Sequence, residues 1–169
     1  MTGRLALAAL ILLGACGLRP VYSGGVNSLA ARTLSEIAVA PIPDRAGFLV
    51  RQAVQARLGD PAASARFKLV IELDDGIEGF GIRGDDSITR ERRTLRARYR
   101  LISSDGSRTY LDATARSDAG IDVVRSSDYA VVAAETSALE RLSTELAQQI
   151  AARVALLVQS SPDFAEPLK

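Results

Sequence analysis

The hydropathy pattern of this chain changes period once, and that change restricts the possible folds more than anything else in it. Three runs alternate with period two before a single long run takes up helical period. From Arg66 to Leu73, Phe67, Leu69, Ile71 and Leu73 fall on one side, with Lys68 and Glu72 opposite. From Thr89 to Ile102, Leu95, Ala97, Tyr99 and Leu101 share a side, and from Arg108 to Arg116 so do Leu111, Ala113 and Ala115. Period two marks strands with one buried face. Ser104-Asp105-Gly106-Ser107 joins the last two runs as a hairpin turn, because Asp-Gly supplies the positive φ that tight turns demand. From Asp128 to Val158, the residues Val132, Thr136, Leu139, Leu142, Leu146, Ile150, Val154 and Leu157 form one stripe, with Ser127 or Asp128 placed to cap the start. About 30 residues at 1.5 Å rise make a rod of roughly 45 Å, which should lie along one face of the sheet.

Ahead of these runs, Leu34 to Ile42 carries Ile37, Val39 and Ile42 and stops at Pro41 and Pro43, which predicts a first strand near a sheet edge. Asp44 is placed to cap a helix from about Ala46 to Leu58, with Val50, Ala53, Val54 and Leu58 as its apolar face and Gly59-Asp60-Pro61 as its end. The order is strand, helix, three antiparallel strands, long helix. It predicts an α+β two-layer sandwich, a four-stranded, mostly antiparallel sheet covered on one face by two helices. The expected divisions are a leader over 1–15, a tether over 16–33, a domain over 34–160 and a loose tail over 161–169.

The leader has its own signature. Arg4 precedes the apolar run Leu5 to Leu13, then come Gly14, Ala15 and the one cysteine, Cys16. A positive start, a short apolar segment and a small-residue cleavage site make an export signal. The run is too short to span a bilayer, which needs roughly 20 apolar residues. Leu13-Gly-Ala-Cys16 resembles the bacterial lipobox, in which the cysteine is acylated and becomes the first mature residue. Gly17 stands where the inner-membrane retention rule wants Asp, so the resemblance points to the outer membrane.

About 150 residues then remain, the size of one ordinary domain. The chain is 47% apolar and 24% charged with a net charge of +1, so neither nucleic acid nor a polybasic membrane tether is indicated. It has no histidine. Ser-His-Asp and Cys-His nucleophilic schemes need an imidazole base, and most zinc sites use His or several Cys, so much hydrolase and metalloenzyme chemistry is unavailable. No cofactor or metal is expected.

Charge is clustered locally. Arg90, Arg92, Arg96, Arg98 and Arg100 share one parity of their strand and should point away from the core. Arg93 adds charge at the strand's start, and Arg108 and Arg116, with Tyr110 between them, are expected on the same side. Guanidinium forks about 6.6 Å apart, twice the strand rise, suit a multiply phosphorylated or carboxylated surface. A solvated face whose arginine stems shield the strands fits the pattern equally, with Glu72, Asp74 and Asp112 as neutralising partners. The run Gly79-Phe-Gly-Ile-Arg-Gly84 matches G-x-G-x-x-G, but Asp85-Asp86 and a strand follow where the dinucleotide fingerprint needs a helix. It is expected to be a hairpin connection flanked by Asp74-Asp75 and Asp85-Asp86, which lack calcium-loop spacing.

The chain resembles the lipopolysaccharide-assembly lipoprotein family, LptE. The resemblance rests on Cys16-Gly-Leu-Arg-Pro-Val-Tyr22 after a lipobox and on Ile37-Ala-Val-Ala-Pro-Ile-Pro-Asp-Arg45 entering a helix. It continues through Arg66-Phe67-Lys68-Leu69, Thr89-Arg90 and Tyr99-Arg100-Leu101 to a long C-terminal helix, nearly the whole mature chain. It implies a four-stranded sheet under two helices. It also implies a non-enzymatic assembly and plug subunit that sits in an LptD-type outer-membrane β-barrel and contacts lipopolysaccharide. Two other roles remain open, an accessory lipoprotein of another periplasmic lipid-transport system and, disfavoured by the missing histidine, a lipid-anchored hydrolase.

Overall fold

The period-two runs pair into one sheet, and the helical run roofs it. The computed structural model describes residues 29–61, 65–82, 88–122 and 127–164. In chain order these form helix α1 (Leu29–Ser35), strand β1 (Ile37–Val39), helix α2 (Asp44–Leu58), strands β2 (Phe67–Ile82), β3 (Ile88–Ser103) and β4 (Thr109–Asp122), helix α3 (Asp128–Ser160) and a 3-10 turn (Pro162–Phe164). The sheet order is β1-β2-β3-β4, with β1 parallel to β2 and the other pairs antiparallel. This is the expected α+β sandwich, four strands with two main helices on one face.

The buried layer follows the alternation. Leu69, Ile71, Leu95, Ala97, Leu101 and Ala115 face Val50 and Val54 of α2 and Leu142, Leu146, Ile150 and Val154 of α3, all buried. Ser127 caps α3, its Oγ accepting from the Ala130 N–H at 3.2 Å. Asp105 organises the β3–β4 turn, where Gly106 takes φ +75°. Its carboxylate accepts from Ser103 Oγ and from the N–H and Oγ of Ser107, which holds its pKa down at about 2.

Several expectations are corrected. Positions 29–35 are helical and Thr33 and Leu34 are buried, so the first strand does not begin at Leu34. Asp44 does not cap α2; it is the first helical residue, at φ +66°, after Pro43, and no side-chain cap bond forms. β2 does not stop at Leu73. Its period continues through Asp75 and Ile77, and the inward carboxylate of Asp75 is tolerated because Arg93 meets it. Asp74 and Asp75 therefore lie within a strand, on opposite faces, where they cannot share a cation. Gly79 to Ile82 is strand as well, while Asp85 and Asp86 lie outside the described residues.

β4 likewise runs past Arg116, burying Ser117, Ala119 and Ile121. Val132, expected in the core, is 59% exposed; deep burial in α3 begins at Ala138. The expected tail opens with the 3-10 turn, and Phe164 is buried with its ring 5.0 Å from Phe67 and 5.2 Å from Tyr110. Among the described residues no helix is long and apolar enough to cross a membrane.

Candidate functional site

The face of the sheet away from the helices carries the charge. Successive side chains on a strand alternate sides. With Leu95, Ala97, Tyr99 and Leu101 buried under the helices, Arg90, Arg92, Arg96, Arg98 and Arg100 project together from the open face, as expected. Arg116 of β4 joins them, directly opposite Arg96.

Two neighbouring arginines, Arg93 and Arg108, lie elsewhere, and so does Tyr110. Arg93 has the parity of Leu95 and lies on the helix side, where it grips Asp75 through two hydrogen bonds of 2.9 and 2.6 Å and donates to the Glu135 carbonyl at 3.1 Å. The bond to Asp75 is the main reason its pKa is raised. A β-bulge, where the register slips between Leu101 and Ile102, turns Tyr110 to the core side, with its ring edge-on to Phe67 at 5.4 Å. Arg108 follows it, stacking over the Tyr110 ring at 5.0 Å and pairing with Asp163 at 2.8 Å. A bulge inserts one residue and reverses the parity of what precedes it, so alternation counted from Ala115 back to Arg108 fails there.

The open-face arginines are not equivalent. Arg98 holds Asp112 with two bonds of 3.0 and 2.7 Å, Arg100 holds Glu72 at 2.8 Å and Arg90 holds Asp122 at 3.1 Å. Hydrogen bonding between Arg98 and Asp112 raises the guanidinium pKa and lowers that of the carboxylate. Arg92 instead lies over the Phe80 ring at 5.2 Å. Among the described residues, neither Arg92 nor Arg96 has an ion pair, and Arg116 reaches Asp118 only at 3.8 Å. Like charges directly opposite one another repel, so the Arg96–Arg116 pair gains from an anion between them. The face as a whole is a ladder of alternating signs; its least tightly held cations are Arg92, Arg96 and Arg116, with Glu78 and Asp74 of β2 opposite the first two but not bonded to them. Sequence parity located the row, but the pairing that singles out these three needs the strand register.

The geometry defines a class: a small α+β sandwich with one roofed face and one open, arginine-bearing face. Solved structures share the sandwich fold. A lipoprotein from Caulobacter crescentus CB15 is similar at TM-score 0.62 and 20% identity, covering 78% of this chain and 97% of that one. Lipoprotein B from Nitrosomonas europaea gives 0.58 at 11% identity, covering 79% and 88%, and the rare lipoprotein B from Shewanella oneidensis gives 0.54 at 8%, covering 71% and 92%. At these identities the likeness is one of fold. No curated protein matches the sequence. The family model described as LptE, lipopolysaccharide-assembly, matches residues 34–154, which spans most of the sandwich. The chain belongs to the LptE family.

Proposed function

We propose that this protein is an outer-membrane lipoprotein, anchored at the periplasmic side through acylated Cys16, that serves as assembly and plug subunit of an LptD-type β-barrel. Its work there is to contact lipopolysaccharide on the way to the cell surface, without catalysing a reaction. The family match over residues 34–154 carries this reading. The open face supports the contact: lipid A phosphates and inner-core sugar acids are multiply charged, and guanidinium forks bind such groups in bidentate fashion. Of the five arginines, Arg92 and Arg96 are the primary contacts, because Arg90, Arg98 and Arg100 must first give up a carboxylate.

The test is direct binding of purified lipopolysaccharide to the full chain. Arg92→Glu with Arg96→Glu should weaken binding at least about tenfold, since a charged hydrogen bond buried by ligand is worth roughly 1.5–3 kcal/mol. Arg98→Gln, which loses chiefly its bond to Asp112, should bind nearly as the parent does. Unchanged binding in the double variant would remove the row as the contact surface.

A further inference from the structure

β1 covers the edge of β2 only from Phe67 to Leu69. The last bond across that edge runs from the Ala40 N–H to the Leu69 carbonyl at 2.9 Å, after which Pro41 and Pro43 lead the chain into α2. Backbone groups along a strand point alternately to its two neighbours. The Phe67 N–H and Leu69 carbonyl point toward β1, so Ile71, Leu73, Asp75 and Ile77 direct their amides and carbonyls to the same side. Among the described residues no strand meets them there. β3 backs this bare edge as far as Phe80, opposite Arg90.

The edge borders a cleft of about 520 Å³, lined by Leu73, Asp74 and Asp75, by the start of α2, and by Val132, Glu135 and Leu139 of α3. A strand laid along the edge would meet different surroundings on its two sides. Toward the helices its side chains would lie beside Leu73, Ile77 and Val132, the last two 43% and 59% exposed, and beside Asp75, which Arg93 neutralises. Toward the open face they would lie beside Asp74 and Glu78, which stand opposite Arg96 and Arg92 of β3 and form no ion pair among the described residues. An incoming segment is thus met at one parity by Leu73 and Ile77 flanking the Asp75–Arg93 pair, and at the other by Asp74 and Glu78.

We infer that the β2 edge from Ile71 to Ile77 receives, as a fifth strand, an extended segment of a partner protein in which apolar and basic residues alternate. Strand addition uses the unpaired backbone groups for affinity and alternate side chains for specificity. The inference goes beyond the lipopolysaccharide reading and holds whether or not the arginine face binds that ligand.

The probe is an end-blocked peptide of about ten residues, long enough for one strand, alternating valine and lysine. It is added to the full chain, with amide hydrogen exchange and affinity as readouts. The expected result is slowed exchange at Ile71, Leu73, Asp75 and Ile77. The same peptide N-methylated at alternate residues, and a valine–glutamate peptide, should not bind. Ile77→Pro removes an N–H that points away from β3, so the ladder survives, and binding should fall about tenfold, the loss of one or two backbone hydrogen bonds. Thr114→Pro, on the far edge formed by β4, should leave binding unchanged. Protection at β4 instead, equal binding of the valine–glutamate peptide, or a dimer of the chain that Ile77→Pro dissolves would each overturn the inference.

Discussion

At the scale of single residues, charge placement and close approach are decided by different neighbours. Arg92 and Arg98 have the same parity and chemistry, yet Arg98 is committed to Asp112 and Arg92 rests on Phe80. Parity of the strand made both legible as open-face residues. Which of them is available depends on the partner strand's register, and no spacing within β3 encodes that. Gly47 shows the same dependence. A Cβ there would sit 2.7 Å from Ile42 Cγ2 and 2.8 Å from the Ile42 backbone carbonyl, because the chain between β1 and α2 folds down onto the first helical turn. Gly47→Ala should therefore destabilise by about 1–3 kcal/mol despite its better helix propensity. Chemical denaturation measures the difference; a neutral or stabilising result would mean that Ile42 can move aside.

At the scale of elements, the roof is shorter than the helix that makes it. α3 spans Asp128–Ser160, but its residues before Ala138 are exposed or half-buried, and the cleft beside β2 opens under them. The apolar stripe was readable along the whole helix, since Val132 and Leu139 lie seven positions apart on one face. That Val132 faces a cleft depends on how far the sheet reaches beneath it. Leu146→Ala, fully buried over the sheet, should cost about 2–5 kcal/mol. Val132→Ala should change stability by less than about 0.5 kcal/mol. The two unfolding midpoints compare these directly, and equal losses would show that the N-terminal third of α3 is packed as tightly as the rest. The strands outrun their local pattern for a related reason. Asp74-Asp75-Gly76 reads as a break by composition, yet β2 continues because Arg93, eighteen residues later in the chain, neutralises Asp75.

At the scale of the whole molecule, an open charged face is matched by polar surroundings on the proposed reading. A barrel lumen offers them. On the proposed reading, the full chain extracted from outer membrane in mild detergent should bring down a large β-barrel in near equal amount. Co-purification with an inner-membrane transporter would favour a different lipid-transport system, and recovery of the chain alone would count against the barrel.

The periodicities by themselves determined the two-layer architecture, the long helix and the face on which the arginine row lies, because period two and period 3.6 bury a side only against a second layer. They also carried the short motifs by which the family could be recognised. Only the tertiary structure decided which open-face arginines lack an ion pair among the described residues, where the bulge turns Tyr110 and Arg108 aside, how far β2 extends and that no described strand covers its edge beyond Leu69. Those outcomes come from register and contacts between residues far apart in the chain, and local pattern holds no record of them.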